Sequence, residues 1–184
     1  TKLFALFNRV LGGLFSSFIA FLFNLFMARN LTYSDYGILA SLVSLYTLAV
    51  IPSQSLVSTT VRFATNFFAR EEHKLASLFY KKMLFFWFVF GIFIFFLVFL
   101  LSSSISSFLN IKNNFFVIIT GISIALTYMA IVNISFLQSL LKFKYLAFLY
   151  SASAITKIFL GVLFILLGYS VGGAIWAIAS MTLV

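Results

Sequence analysis

Cysteine is absent from this 184-residue chain, proline occurs once, and only three residues are acidic. Without cysteine there are no disulfides and no thiolate chemistry. The carboxylates, Asp35, Glu71 and Glu72, all lie in polar stretches between apolar runs, so those runs hold no acid–base pair. No glycine-rich phosphate loop followed by Lys and Ser or Thr occurs either. We therefore predict no catalytic site, no metal site and no cofactor.

What the chain does contain is apolar sequence. Hydrophobic residues make up 64% of it and charged residues 8%, whereas a soluble domain has about half and a quarter. Polar breaks separate apolar runs of about 20 residues or more, the length of helix that crosses about 30 Å of hydrocarbon. We predict an all-α polytopic membrane protein.

Five complete transmembrane helices and the start of a sixth are predicted. Their approximate ranges are 3–28, 36–69, 83–101, 115–138, 146–167 and 174–184. Ser34 or Asp35 is expected to cap the second span, and Pro52 to kink it, because proline removes a backbone hydrogen bond. The stretches "REEHKLASLFYKK" and "SSSISSFLNIKNN" are predicted to connect spans. Because the sixth span stops early and Thr1 stands in place of an initiator Met, we expect the chain to be part of a longer protein.

Lys and Arg in the connections predict the orientation, because cytoplasmic loops carry the excess of positive charge. With the N-terminus inside, the outer loops hold only Arg29 and Lys112. The inner segments then hold Lys2, Arg70, Lys74, Lys81, Lys82, Lys142 and Lys144. We predict a multi-pass protein of the cytoplasmic (inner or plasma) membrane with its N-terminus in the cytoplasm.

The second predicted span carries a polar stripe. Its members recur at three- and four-residue steps and share one helix face: Ser41, Ser44, Ser55, Ser58, Thr59, Arg62 and Asn66. Inside a membrane such a face looks at other helices or at a water-filled cavity. Hydroxyls alone fit ordinary helix contacts equally well. The full charge of Arg62 favours the cavity.

Two more cations lie within predicted spans. Arg9 shares a face of the first span with Asn24, and it lies about 10 Å deep on the same side as Arg62, although its side chain could also snorkel to the surface. Lys157 is about 15 Å into the fifth span, where snorkelling is hardest. It faces either a cavity or polar groups elsewhere in the bundle, and a carboxylate in the remainder of a longer protein could pair with it. A positive cavity attracts anions, and arginine matches phosphate oxygens through paired donors, so we predict phosphate-bearing substrates. The net charge of +9 mostly reflects the positive-inside bias, and no nucleic-acid partner is predicted.

Several segments together resemble polysaccharide repeat-unit (O-antigen or capsule) flippases, the Wzx-type branch of the multidrug/oligosaccharidyl-lipid/polysaccharide (MATE-like) exporter superfamily. In "FMARNLTYSDYGILASLVSLYTL" the shared features are Arg29, Leu31, Tyr36 and Gly37. The segments "PSQSLVSTTVRFAT" and "FLQSLLKFKYLAFLYSASAITKIFLGVLFILLGYSVGGAIWA" are similar to the family's second span and its fourth-to-sixth-span region. Many members carry an Asp-x-Gly before the second-span arginine, where this chain has Ser53 and Ser55.

The resemblance implies a transporter rather than an enzyme. Residues 1–184 would form part of the N-terminal transmembrane lobe of a two-lobe, alternating-access flippase for an undecaprenyl-diphosphate-linked oligosaccharide. Arg62, Lys157 and Arg9 would contact the head group, and the cavity lining would include Asn24, Ser55, Ser58, Thr59 and Asn66, with Pro52 shaping it. The expected partners are the lipid-linked oligosaccharide, membrane lipids, the C-terminal lobe and other polysaccharide-assembly proteins. The alternatives are a cation-coupled drug or metabolite exporter of the superfamily, a membrane-embedded polymerase or ligase of lipid-linked glycans, and a non-transporting scaffold.

Overall fold

The computed structural model describes the backbone of residues 2–181 and the side chains of residues 13–14, 17–169 and 171–179. All regular secondary structure in this part of the chain is helical, which confirms the predicted all-α class. The helices are α1 (Lys2–Asn30), α2 (Tyr33–Ala69), α3 (His73–Leu100), α4 (Ser102–Phe108), α5 (Asn114–Ser139), α6 (Phe143–Leu166) and α7 (Ser170–Met181).

Four of the helices, α2, α3, α5 and α6, are long and apolar enough to cross a membrane. α1 has 29 residues, but most side chains of its first half lie outside the described residues. α7 is described over 12 residues. The structure therefore supports a multi-pass membrane protein, while the total of five complete spans and the start of a sixth stays a prediction.

Helix boundaries differ from the predicted ones at two connections. α3 begins at His73 rather than at Met83, so the charged stretch after α2 is mostly helical and not a loop. Lys74, Lys81 and Lys82 are all exposed on it, which lets the helix continue past its apolar part. The serine-rich stretch after α3 likewise forms the short helix α4. The hydropathy pattern predicted the apolar part of α3 but not the residue at which the helix begins.

The cap of α2 also differs from the prediction. Thr32 is the N-cap residue, and its hydroxyl oxygen accepts a hydrogen bond from the backbone N–H of Asp35 at 3.2 Å. Asp35 lies in the first turn, where its negative charge is favourable at the positive end of the helix dipole. The expectation that Ser34 or Asp35 caps this helix was therefore wrong by two or three positions.

α5 is the central helix of the bundle. It packs along α3 and α2 and also contacts α7. α1 packs mainly on α6, and α6 in turn packs on α7. α1 and α2 are consecutive in sequence yet touch at only a few positions, unlike the hairpins formed by α3 with α5 and by α6 with α7. The bundle thus has two parts, α2–α3–α5 and α1–α6, bridged by α7.

Two buried apolar clusters divide the bundle along its length. The first draws on α1, α2, α3, α5 and α7 near the α1–α2 connection and includes Phe23, Met27 and Leu42. The second lies toward the opposite end and includes Trp87 and Tyr128, with described residues from α2, α3 and α5 only. The described part of α1 therefore shares a core with α2 only near the connection that joins them.

Short, fully hydrogen-bonded turns join several helices. After α2, the N–H of Glu71 donates to the carbonyl of Phe68 and that of Glu72 to the carbonyl of Phe67, the pair of bonds that defines a Schellman motif. The same bond pattern closes the turns after α4, α5 and α6. The left-handed residues at these turns are Glu71, Asn110, Leu141 and Gly168, with φ of 59°, 54°, 55° and 83°.

Candidate functional site

The part of the polar stripe of α2 that runs from Ser55 to Asn66, here called the polar strip, lies on a face that no described residue covers. The buried side chains of the second half of α2 are Ser53, Thr60 and Ala64, which lie on the face toward α5 and α3. The opposite face carries the predicted lining residues, and every one of them is exposed: Ser55, Ser58, Thr59, Arg62 and Asn66. A helix long and apolar enough to cross a membrane thus presents a continuous polar strip away from its own bundle.

Two of the three hydroxyl groups of this strip donate within the helix. Ser58 donates to the carbonyl oxygen of Gln54 at 3.2 Å, and Thr59 donates to that of Ser55 at 3.1 Å. Such bonds to the preceding turn satisfy the hydroxyl proton where water is scarce. Their oxygen lone pairs still point outward and can accept hydrogen bonds. The strip therefore offers acceptors, suited to the hydroxyls of a sugar, alongside one strong multi-donor group at Arg62.

Arg62 is exposed seven residues before the end of α2, about 10 Å along the helix axis. No acidic residue follows Asp35 in α2, and none occurs in α1, α3, α5, α6 or α7. An arginine at the centre of a membrane helix costs about 2.5–3.5 kcal/mol on insertion scales, less near an interface. Its five N–H donors are available to an outside acceptor, and their planar fork pairs with two oxygens of a carboxylate or a phosphate.

Lys157 lies in a different environment, between α6 and α1. Its side chain is half-buried, and Nζ stands 4.5 Å from the centroid of the Phe23 ring. Gly161, one turn further along α6, is buried against the same ring: a Cβ there would lie 2.5 Å from a ring carbon of Phe23 and 2.9 Å from the terminal methyl of Met27. The absence of a side chain at Gly161 therefore lets α1 approach α6 closely where Lys157 meets Phe23.

The structure does not bring the predicted site residues into one contact cluster. Arg62 and Lys157 lie on helices that do not pack extensively against each other. Asn24 is exposed near the end of α1 that adjoins α2, whereas Arg62 is near the far end of α2. The side chain of Arg9 lies outside the described residues. The five exposed residues of α2, from Ser55 to Asn66, are the part of the predicted site that shares one surface.

The chain matches a family model described as "Polysaccharide biosynthesis protein" over residues 26–184. It belongs to this polysaccharide biosynthesis family. No curated protein and no solved structure matches it. Family membership fits the flippase resemblance drawn from the sequence. It supports a role in polysaccharide biosynthesis or export in a membrane setting, and the matched range contains the whole polar strip and Lys157.

In this polysaccharide biosynthesis protein, sequence reasoning missed a set of polar contacts that joins α2 to α5. The hydroxyl of Tyr128 donates to the backbone carbonyl of Ala49 at 2.5 Å. Nearby, the hydroxyls of Tyr46 and Thr127 are 2.9 Å apart. Because Thr127 already donates to the carbonyl of Ser123, Tyr46 is the donor of that pair. The available signal was one tyrosine within each of these two apolar runs, Tyr46 and Tyr128.

These contacts lie beside Pro52, which α2 contains without a break in helical assignment. Proline cannot donate to the carbonyl four residues earlier, and its ring crowds that turn. Tyr128 supplies a donor to a carbonyl in the affected turn. A bend at Pro52 itself stays a prediction.

The described residues contain no group of His, Asp or Glu that could hold a metal ion. His73 is exposed at the start of α3, and its ring lies 6.5 Å from that of Phe68. Glu71 and Glu72 lie in the neighbouring turn. The groups at the candidate site are therefore a guanidinium, hydroxyls and an amide, which can bind and orient a polar ligand.

Proposed function

We propose that this chain is part of the N-terminal lobe of a transporter that moves an undecaprenyl-diphosphate-linked oligosaccharide across the cytoplasmic membrane. The observation that carries the proposal is the uncovered polar strip on α2, with Arg62 in it, in a protein of the polysaccharide biosynthesis family. A membrane helix exposes such a strip to a water-filled cavity or to further protein, because polar groups facing lipid are costly.

The chemistry of the strip fits a substrate with two kinds of polar group. The guanidinium of Arg62 pairs with phosphate oxygens, and the outward lone pairs of Ser58 and Thr59 accept from sugar hydroxyls. The lipid tail would stay in the bilayer while the head group passes along the strip. The C-terminal lobe would cover the strip from the other side, and the two lobes would rock about it.

The proposal includes the full topology. α1 and α7 would be a span and the beginning of a span, which with α2, α3, α5 and α6 makes five complete crossings and a sixth begun. The N-terminus would lie in the cytoplasm. The turns after α2 and α5 would then lie in the cytoplasm too, beside the clustered Lys and Arg residues at that end.

Replacing Arg62 by leucine tests the function in cells that make the polymer. We expect the variant to reach the membrane at normal levels. Surface polysaccharide should fall at least about tenfold, which corresponds to the loss of about 1.4 kcal/mol of substrate-binding free energy. The lipid-linked precursor should accumulate. Arg70→Leu is the matched control, because Arg70 is exposed at the C-cap of α2 and lies outside the strip. Normal surface polymer in Arg62→Leu would contradict the proposal.

A further inference from the structure

The ammonium group of Lys157 has an aromatic ring where a carboxylate would be expected. Its Nζ lies 4.5 Å from the Phe23 centroid, inside the distance at which the negative face of a ring attracts a cation. No Asp or Glu occurs anywhere in α6 or in α1. Among the described contacts, the Phe23 ring is the only stabilising partner of this charge.

The ring is held in place. Phe23 is 2% exposed and belongs to the buried cluster near the α1–α2 connection. It touches the bare backbone of Gly161, and Met27 packs beside it. Lys157 and Gly161 are four residues apart and so lie on the same face of α6. The close approach of α1 to α6 therefore fixes the Phe23 ring directly opposite the lysine.

An aromatic partner and a carboxylate have different consequences for a buried cation. A carboxylate would cancel the charge and compete with any incoming anion. A ring offsets part of the desolvation cost through its quadrupole while the net charge stays +1. Lys157 is half-buried rather than enclosed, so an anion that reaches it finds an unneutralised charge.

We propose that Phe23 is a positioning residue for Lys157: its ring holds the ammonium within α6, charged and unpaired, ready for an anionic group of the transported molecule. The inference rests on the proposed function, since an anionic substrate gives a reason for a half-buried cation between α1 and α6. It adds Phe23 of α1 and Gly161 of α6 to the part of the predicted site that contains Lys157.

The test is a double-mutant cycle for export, using Phe23→Leu, Lys157→Met and the double variant in the intact protein. Leucine keeps an apolar side chain at position 23 but removes the ring face. We expect Phe23→Leu to reduce surface polysaccharide about tenfold in the wild-type background, corresponding to about 1.4 kcal/mol, and to cause no further loss when Lys157 is already methionine. Phe23→Tyr, which keeps the ring, should export normally.

The melting temperatures of the three purified variants give a second double-mutant cycle. This second measurement is needed if Lys157→Met leaves no measurable export. Coupling between the two positions supports the proposal. Equal losses from Phe23→Leu in both backgrounds, or equal losses from Phe23→Tyr and Phe23→Leu, would assign Phe23 to packing alone and overturn it. Arg62→Leu separates the two proposals: if it abolishes export while the cycle is additive, the inference about Phe23 fails and the proposed function stands.

Discussion

The hydroxyl of Tyr128 on α5 donates a hydrogen bond to the backbone carbonyl of Ala49 on α2, three residues before Pro52. Tyr128 is itself buried, with its ring stacked on Trp87 at a centroid distance of 5.4 Å. The central helix of the bundle thereby holds α2 at the turn where proline weakens its own hydrogen bonding. The polar strip begins directly after that turn, so this contact helps to set where the strip points.

Removing the Tyr128 hydroxyl should loosen this attachment. We expect Tyr128→Phe to lower the free energy of unfolding by about 1 kcal/mol, since the partly buried hydrogen bond to the Ala49 carbonyl is lost while ring packing is kept. The measurement is the melting temperature of the purified protein. Tyr33→Phe serves as the control because Tyr33 is fully exposed at the start of α2. Equal melting temperatures for Tyr128→Phe and Tyr33→Phe would show that this hydrogen bond contributes nothing.

Two glycines give opposite predictions for the same substitution. A Cβ at Gly161 would lie 2.5 Å from the Phe23 ring, closer than packed atoms tolerate, whereas a Cβ at Gly37 meets nothing within 4 Å. Gly161→Ala should therefore destabilise the protein by about 1–3 kcal/mol through overpacking. Gly37→Ala should stabilise α2 by about 0.5–1 kcal/mol, because alanine is the better helix former. Thermal unfolding of both variants checks the pair, and stabilisation by Gly161→Ala would refute the close α1–α6 approach.

The turn between α5 and α6 contains a strained leucine. Leu141 has φ of 55°, in the left-handed region that costs a residue with a Cβ about 1–2 kcal/mol. Because Leu141 is exposed, little packing is lost on its removal, and we expect Leu141→Gly to raise stability by about 1 kcal/mol. Leu140→Gly is the matched control, since Leu140 has φ of −81° and gains nothing from glycine. A lower melting temperature for Leu141→Gly than for Leu140→Gly would contradict the assigned turn.

The absence of cysteine from these residues permits a direct test of orientation. Lys74 and Lys112 are both exposed; Lys74 lies in the first turn of α3, and Lys112 lies in the connection between α4 and α5. With the N-terminus in the cytoplasm, a membrane-impermeant maleimide should label Lys112→Cys in intact cells and label Lys74→Cys only after permeabilisation. The reverse pattern would invert the proposed topology, and the Lys112 loop would then be cytoplasmic.

Much of the architecture follows from hydropathy. Four predicted spans correspond to α2, α3, α5 and α6, because long apolar runs have no alternative to helix in lipid. The start of α3 was not predictable in this way. Lys74, Lys81 and Lys82 are tolerated on a helix that extends beyond its apolar part, and hydropathy does not sense backbone hydrogen bonds. The cap at Thr32 was missed for a similar reason, since three neighbouring residues can all cap a helix.

The candidate site was predictable only in its one-helix part. Periodicity placed Ser55, Ser58, Thr59, Arg62 and Asn66 on one face, and these residues are indeed exposed together on α2. Lys157 was recognised as a cation without a carboxylate, but its contact with Phe23 joins helices far apart in sequence. The Tyr128–Ala49 bond likewise depends on how α5 lies against α2. Contacts between residues of different helices depend on how the helices pack, and the sequence of one helix does not determine that packing.

The turns after α2 and α5 also limit how this end of the molecule can open and close. Each consists of three residues, 70–72 and 140–142, whose backbone N–H groups all donate to the end of the preceding helix. A segment this short, with every backbone N–H hydrogen-bonded, cannot extend away from the helix ends that it joins. It cannot fold over an entrance as a lid does. If a passage runs between these helices, it must be closed at this end by whole helices that tilt together. The helices that line the passage are then also the ones that close it.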